Sequence, residues 1–301
     1  MKIFFTFLAL SLSIHSADFS VTEKKGDHVD VSYKGRSIFK FMTARDSSTK
    51  ERDHDTYKVY SHIVDPLDKE GKAFITKGPG GKFTHHRGIF FGFNKVKSGS
   101  INADLWHMRG AARNNFIKIL KQEAGDDQLV LTVEVDWVNG ETVVLKEERQ
   151  FTISKPEANG ALLIDLKSKL TAVNADTVLA GDPEHAGCHF RADNEVNSNK
   201  SAKFLIPAGK DVKKSSDIPW TAMTYKLRSN QYYVHHMSSP KNGQWKYSAY
   251  RNYGRFGSFP FGHEIKKGES ANFHFAFYIS PGNFPEDAEA QMQKRYESVM
   301  K

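Results

Sequence analysis

The stretch from Gln128 to Ser154, QLVLTVEVDWVNGETVVLKEERQFTIS, decides the fold. Apolar side chains alternate with polar ones from Leu129 to Trp137, so one face of this segment is buried, as in a half-buried β-strand. The dipeptide Asn139-Gly140 predicts a tight hairpin turn, after which Thr142–Ile153 returns as a second strand. Such a hairpin favours an antiparallel sheet over alternating strands and helices.

Similar strand patterns, separated by turn residues, lie on both sides of this hairpin. They cover Val29–Tyr33, Ser37–Phe41, Lys58–Val64, Ile89–Phe93, Phe116–Ala124, Ala161–Leu170, Tyr232–Met237 and Phe273–Ile279. The C-terminus differs, because after Pro285 the residues Ala288, Met292 and Tyr296 recur at helical spacing. We expect an all-β protein with one large antiparallel β-sandwich and a C-terminal helix. A supersandwich like that of galactose mutarotase is one form of this architecture.

Composition limits the classes of function. The chain has 301 residues, 39% of them hydrophobic and 26% charged, which is enough for a packed core. Its single cysteine, Cys188, excludes an intramolecular disulfide and a cysteine-rich zinc site. The net charge is +8, but the basic residues are scattered and do not form the stripe of a nucleic-acid-binding protein. A positive balance fits an acidic ligand such as a uronate or a sulfated glycan.

The first residues have the features of a secretory signal peptide. Lys2 gives a positive start, Ile3–Ile14 is apolar, and Ser16 and Ala17 are small residues suited to cleavage. The alternative is a buried first strand or helix. The apolar run is too short to span a bilayer, and no later run reaches the roughly 18 residues that a membrane helix needs. We therefore predict a signal peptide over residues 1–17, a single β-sandwich domain over 18–301, and export to the periplasm or the exterior.

The segment Asp182–Ala192, DPEHAGCHFRA, has the most informative polar pattern. With the two-residue period of a strand, His185, His189 and Arg191 share one face, and Cys188 lies on the opposite, apolar face. A strand with these two faces is typical of the floor of a polar cleft. The alternative is an outer face exposed to solvent.

Further candidates lie in four other segments. Lys82–Gly88 contains adjacent histidines, which share a face only where the backbone bends. Asp104–Gly110 contributes His107, and the strand Val143–Ile153 places Glu147 and Arg149 among apolar residues. The two charges form a structural pair or line a cavity, in which case Glu147 is a general acid or base. The aromatic, glycine-rich stretch 245–261 suits sugar rings, and its arginines suit carboxylates, although ordinary loop packing is the alternative.

The predicted site combines these segments. The predicted catalytic residues are His107, His185, His189 and Glu147. The predicted substrate-binding residues are His85, His86, Arg87, Arg191, Tyr250, Tyr253 and Arg255. The histidines and nearby carboxylates are also compatible with a divalent metal, since two His and one carboxylate suit non-haem iron and three His suit zinc. No HExxH motif is present, and the sequence does not require a metal.

The chain also resembles the bacterial PmoA family, an exported domain of unknown function often labelled "methane oxygenase". The resemblance runs from about Val59 to Ser280 and rests on motifs in the family's order. They are HHRGIFFGFN at 85–94, DLWH at 104–107, KEER at 146–149, GDPEHAG at 181–187 with HFR at 189–191, and YGRFG at 253–257. The resemblance implies a role in carbohydrate breakdown, without a catalytic assignment.

We therefore expect an exported carbohydrate-active protein, an enzyme such as a hydrolase, lyase, dehydratase or epimerase. It would act on an oligosaccharide, which can be acidic, through a cleft lined by His and Arg. One alternative is a metal-dependent oxygenase that uses the histidines. The other is a non-catalytic glycan-binding protein, which fits the aromatic stretch better than the dense histidines.

Overall fold

The computed structural model describes residues 18–300, so the predicted signal peptide lies outside the described residues. The strands and helices of this part follow in chain order. They are β1 (Phe19–Lys24), β2 (His28–Tyr33), β3 (Arg36–Met42), α1 (Lys50–Thr56), β4 (Tyr60–Ile63), β5 (Ile89–Phe93), β6 (Lys95–Ser98), β7 (Ile101–Ala103), β8 (Ala112–Ala124), β9 (Gln128–Asn139), β10 (Thr142–Ser154), β11 (Leu162–Ala172), β12 (Thr177–Ala180), β13 (Ala186–Arg191), α2 (Asn194–Asn199), β14 (Lys203–Leu205), β15 (Trp220–Leu227), β16 (Asn230–Ser238), β17 (Gln244–Arg251), β18 (Arg255–Phe261), β19 (His263–Ile265), β20 (Ser270–Pro281) and α3 (Ala288–Met300). A short 3-10 helix, Pro240–Asn242, precedes β17.

Two eight-stranded antiparallel sheets form the sandwich. The first sheet has the order β1-β2-β3-β4-β5-β13-β18-β17, and the second has the order β14-β15-β16-β20-β11-β10-β9-β8. A small third sheet, β19-β12-β6-β7, is separate from both. The predicted all-β antiparallel sandwich with a C-terminal helix is therefore confirmed.

The hairpin of β9 and β10 forms where the sequence predicts it. Asn139 pairs with Thr142, and Gly140 takes the left-handed φ of +62° that the tight turn requires. The pairing then shifts between Val143 and Leu145, which is a β-bulge. Because of this bulge, Val144 and Leu145 are both buried, so strict alternation begins only after it.

The main core lies between the two large sheets and is rich in phenylalanine. Phe39 and Phe41 of β3 pack against Phe151 of β10, and Phe91 of β5 packs against Phe273 and Phe275 of β20. Helix α3 packs outside the second sheet, where Met292 and Tyr296 join the buried cluster of Trp220 and Met237. Among residues 18–300, no helix has the length and apolar character needed to cross a membrane.

Glu147 lies in the main core, which fits the structural pair predicted for it and not the predicted catalytic role. Its carboxylate is fully buried in the main core and accepts hydrogen bonds from Arg149 Nε at 2.8 Å and Nη2 at 2.7 Å. Trp137 Nε1 and Ser168 Oγ donate to the same carboxylate, each at 2.7 Å. Since all four bonds come from buried groups, Glu147 and Arg149 form a structural pair away from any cleft.

The outer face of the first sheet carries the polar residues of β13. Cys188 and Phe190 point into the core, whereas His189 and Arg191 lie on the opposite face. The stretch 245–261, expected to be a loop, instead forms β17 and β18, and Arg255 of β18 stands beside His189. The fold thus gathers charged and imidazole side chains on one outer surface.

Candidate functional site

Five histidines from three segments meet on the outer face of the first sheet. We call them the histidine cluster: His85, His86, His107, His185 and His189. Ring centroids are 4.2 Å apart for His85 and His86, 4.5 Å for His85 and His107, and 5.1 Å for His107 and His185. His189 joins the others through Trp106, whose ring is 4.6 Å from it.

A backbone turn lets the adjacent residues His85 and His86 share one site. Phe83 takes a left-handed φ of 56°, and its carbonyl accepts a hydrogen bond from the His86 amide at 2.9 Å. Gly88 closes the turn, since a Cβ there would lie 1.9 Å from the Ser61 carbonyl oxygen. An extended chain would have placed the two imidazoles on opposite faces. A left-handed phenylalanine is costly, and strain of this kind concentrates at functional sites.

Two of the histidines form matching pairs with aspartates three residues earlier. His107 Nδ1 lies 2.8 Å from Asp104 Oδ2, and His185 Nδ1 lies 3.0 Å from Asp182 Oδ1. Burial is the largest single influence and raises the pKa of Asp104 and Asp182, but the hydrogen bond and charge of the histidine, together with backbone hydrogen bonds, outweigh it and lower the pKa. A carboxylate only accepts, so Nδ1 carries the proton in each pair. The Nε2 atom of each neutral ring is then left as an acceptor, as a general base requires.

The two Asp–His pairs are partly accessible to solvent, as is His85. The His185 side chain is 40% exposed and the His107 side chain 14%, whereas His86 and His189 are buried. His189 Nε2 lies 3.0 Å from the Ala186 carbonyl oxygen, and its Nδ1 lies 3.1 Å from Arg255 Nη1. Both nitrogens of His189 are therefore used by the protein. His189 is thus a buried, structural part of the site, and this geometry does not fit its predicted catalytic role.

His86 differs from His189 in its hydrogen bonding. Its ring is buried, and within residues 18–300 neither ring nitrogen has a hydrogen-bond partner. The indole Nε1 of Trp106, next to it, is also buried without a partner there. Burial, with a contribution from Arg255, holds the pKa of His86 well below its ordinary value, so the ring is neutral. Unsatisfied buried polar groups cost about 1–3 kcal/mol each, and a bound polar ligand would satisfy them.

Four buried cations surround the cluster and donate to backbone carbonyl oxygens. Lys58 bonds to the carbonyls of His85 and Trp106, and Lys77 bonds to those of Gly78 and His86. The others are Arg87, bonded to the carbonyls of Thr84, Asp55 and His54, and Arg191, bonded to that of Tyr253. None of the ion pairs among residues 18–300 involves these four cations.

The pKa values of Lys58, Lys77 and Arg191 reflect their burial. Burial, followed by the charge of Arg191, lowers the pKa of Lys77 to about 7. Burial also lowers the pKa of Arg191 to about 10 and holds that of Lys58 well below its ordinary value. Arg87 and Arg191 were predicted to contact substrate directly, but both are fully buried. They instead place positive charge beneath the site.

One side of the cluster is formed by residues of β17, β18 and the turn between them: Tyr250, Tyr253 and Arg255. The Tyr253 ring lies parallel to that of His86 at 6.3 Å, and Phe83 covers it at 5.0 Å. Arg255 is buried, donates from Nε to the Tyr253 hydroxyl at 3.1 Å, and lies 3.6 Å from the Glu184 carboxylate. Tyr250 donates to the same carboxylate at 2.6 Å. Tyr253 and Phe83 therefore form an aromatic border, and Arg255 is occupied by protein groups.

Sequence reasoning missed several parts of this site. Lys58 and Phe83 gave no signal, because their roles depend on the conformation of two loops. The two aspartates were considered only as metal ligands, although the repeated spacing Asp-x-x-His in DLWH and DPEH is visible in the sequence. Among the described residues, no group of three or more His, Cys, Asp or Glu side chains is arranged to hold a metal ion.

Comparison with solved structures finds carbohydrate-active enzymes. The galactosidase domain of an alpha-galactosidase-sucrose kinase matches 87% of this chain at 8% identity and a TM-score of 0.39. An alpha-galactosidase from Lactobacillus brevis matches 94% at 10% identity and a TM-score of 0.41. A polysaccharide lyase matches 93% at 9% identity and a TM-score of 0.37. The chain spans 42%, 41% and 34% of these three proteins, respectively.

No curated protein matches the sequence. The model of a family of unknown function, DUF6807, matches residues 28–294, which is most of the chain. The assignment to the PmoA family drawn from the sequence motifs is therefore wrong, and the chain belongs to the family of unknown function DUF6807.

Proposed function

We propose that this protein is an exported carbohydrate-active enzyme that removes and returns a proton on an acidic sugar, as a lyase or an epimerase does. The observation that carries the proposal is the pair of Asp–His units, whose ring centroids are 5.1 Å apart over a layer of buried positive charge. The reacting bond would be the C–H bond next to the carboxylate of a uronate unit.

The two histidines supply the base and the acid. The rings of His107 and His185 are partly accessible, and each has an aspartate that fixes its tautomer. One Nε2 takes the proton from carbon. The other ring, when protonated, returns a proton to the opposite face of the sugar or to the leaving oxygen. Positioned acid–base groups of this kind contribute about 10²- to 10⁴-fold in rate.

The buried cations suit the charge that develops in this reaction. Removal of a proton next to a carboxylate places negative charge on the carboxylate oxygens, and fixed positive charge nearby stabilises it. Arg87 and Arg191 lie behind the cluster and stay charged near neutral pH, with carbonyl oxygens as their hydrogen-bond acceptors. Their charge is not cancelled by carboxylates, so it favours an anionic sugar in the site.

The surrounding rings suit a sugar rather than a flat aromatic ligand. Tyr253 and Phe83 form an apolar border on which the C–H face of a pyranose can pack. The unpartnered nitrogens of His86 and Trp106 lie buried beneath this border. A hydrolase would need two free carboxyl groups at the reacting bond, whereas Asp104, Asp182 and Glu184 are all bonded to His or Arg. The residues do not fit a metal centre, and no step of the proposal uses one.

Solvent deuterium exchange tests the proposal directly. The purified protein would be incubated in D₂O with oligogalacturonides and, separately, with neutral cello-oligosaccharides, and products would be analysed by mass spectrometry. We expect deuterium uptake or an unsaturated product from the acidic series only. His107→Asn and His185→Asn should each reduce this rate by at least about 100-fold.

The matched control is His274→Asn, because His274 is also bonded to an aspartate, Asp165, but lies on the second sheet away from the cluster. This variant should keep the full rate. Binding of the sugars with no exchange and no product would support the glycan-binding alternative and overturn the proposed reaction. Unchanged rates in the His107 and His185 variants would overturn the residue assignment.

A further inference from the structure

A groove of about 480 Å³ is lined in part by Asp182, the hydrogen-bond partner of His185 in the histidine cluster. It lies between the outer surface of β17 and β18 and the small third sheet, where β12 and β19 form its other wall. Ligand pockets commonly have volumes of about 300–1,000 Å³, so the groove has room for a small ligand unit.

The groove and the proposed site have one residue in common. Asp182 lines the groove and also holds His185. Along β18, the residues Arg255, Phe259 and Phe261 share one face because side chains alternate in a strand. At about 3.3 Å per residue, Phe259 and Phe261 lie roughly 13 and 20 Å from Arg255. A ligand that fills both regions is therefore longer than a monosaccharide.

The lining of the groove is mostly apolar with charges at its edge. Phe259 is buried in its floor, Phe261 is half-buried, and Val178 is 36% exposed. Lys246 and Glu264 also line the groove. Aromatic and aliphatic side chains suit the C–H faces of sugar rings, and charged side chains at the rim suit their hydroxyl and carboxylate groups.

We infer that this groove binds the sugar units that flank the reacting unit, so that the enzyme acts on an acidic glycan chain rather than on a free uronic acid. The inference rests on the proposed function for the chemistry of the sugar. It adds a second binding region, at Val178, Phe261 and Lys246, of which Phe261 and Lys246 belong to the stretch 245–261 predicted to suit sugar rings.

The test measures affinity against chain length. Isothermal titration calorimetry would compare oligogalacturonides of one to five residues on the wild-type protein, with circular dichroism as a check of folding. We expect affinity to rise at least tenfold from the monomer to the pentamer. Phe261→Ala and, separately, Val178→Asp should abolish this rise and leave the affinity for the monomer unchanged. Leu67→Ala, at an apolar residue 45% exposed and outside the groove lining, is the control and should keep the rise.

The outcomes separate the two proposals. A length-dependent affinity that both groove variants abolish supports the groove, even if deuterium exchange is absent and the proposed reaction fails. Exchange that depends on His107 and His185, together with a length dependence that survives in both groove variants, overturns the groove and leaves the reaction. If no oligogalacturonide binds the wild-type protein, both are overturned.

Discussion

Replacing Glu147 with glutamine should cost the protein a large share of its stability without touching the site. The carboxylate of Glu147 is fully buried and accepts two hydrogen bonds from Arg149, one from Trp137 and one from Ser168. Glu147→Gln removes the negative charge and leaves the Arg149 guanidinium buried without a counter-charge. Breaking a buried ion pair in this way costs about 3–5 kcal/mol. One further neutral hydrogen bond lost to the amide adds about 0.5–1.5 kcal/mol.

The expected total is about 3.5–6.5 kcal/mol, which compares with about 5–15 kcal/mol for the whole unfolding free energy of a typical domain. Urea unfolding at pH 7, followed by tryptophan fluorescence, gives the free energy of unfolding for the wild type and the variant. The double variant Glu147→Leu/Arg149→Met is the control, because replacing both partners of a buried pair with apolar residues is often neutral or stabilising. It should recover at least about 2 kcal/mol of the loss.

Two results would refute this reasoning. One is a loss below about 1 kcal/mol in Glu147→Gln, which would mean that solvent reaches the pair. The other is a double variant less stable than the single variant, because the buried charge of Arg149 would then not be the source of the loss. Deuterium exchange on oligogalacturonides by the folded fraction should be unchanged, as expected for a structural pair remote from the cluster.

Three further predictions concern acid stability, backbone packing and export. Burial lowers the pKa of His236 to about 3, and because the unfolded chain binds this proton near pH 6.5, stability should fall as the pH drops from 6.5 towards 3. Urea unfolding would measure the free energy of unfolding at pH 7.5 and at pH 5.5. Over this range the wild type should lose about 1.4 kcal/mol more of it than His236→Gln does. Equal losses would contradict a lowered pKa at His236. A Cβ at position 257 would lie 2.4 Å from the His189 ring, so Gly257→Ala should displace this ring and lower both the melting temperature and the rate of deuterium exchange. The control is Gly125→Ala, where the nearest atom to a Cβ is 3.5 Å away. This variant should keep the wild-type melting temperature and exchange rate. Mass spectrometry of the exported protein should find a chain that begins at Asp18, and retention of residues 1–17 would count against the signal peptide.

The fold was largely predictable because strand signals are local. Alternation over Leu129–Trp137 and the turn at Asn139-Gly140 involve neighbours in sequence, and the structure forms the hairpin there. The stretch 245–261 was missed as a pair of strands, because its glycines and aromatics resemble a loop. Its second strand, β18, pairs with β13, which is remote in sequence, and β17 then pairs with β18.

The site was predictable only in part, for a related reason. Parity along β13 correctly separates Cys188 from His189 and Arg191, since alternation is a local property. Whether such a residue is exposed depends on what covers it. Arg191 lies under Tyr253, and Arg87 is enclosed by loop carbonyls and the ring of Tyr57. These covering groups come from other segments, so their effect could not be seen in the sequence.

Burial divides the histidines of the cluster into two kinds, and this division limits the mechanism. Burial and nearby cations hold the pKa of His86 and His189 well below the ordinary value, and burial together with Lys58 lowers that of His85 to about 2. These three rings are neutral near neutral pH, so none of them serves as the acid in the proposed reaction. That role falls to His107 and His185, whose Nδ1 atoms are hydrogen-bonded to Asp104 and Asp182. A substrate that brings its own negative charge would also offset the cations beneath the cluster. The same electrostatics therefore select both the two reacting histidines and an anionic ligand.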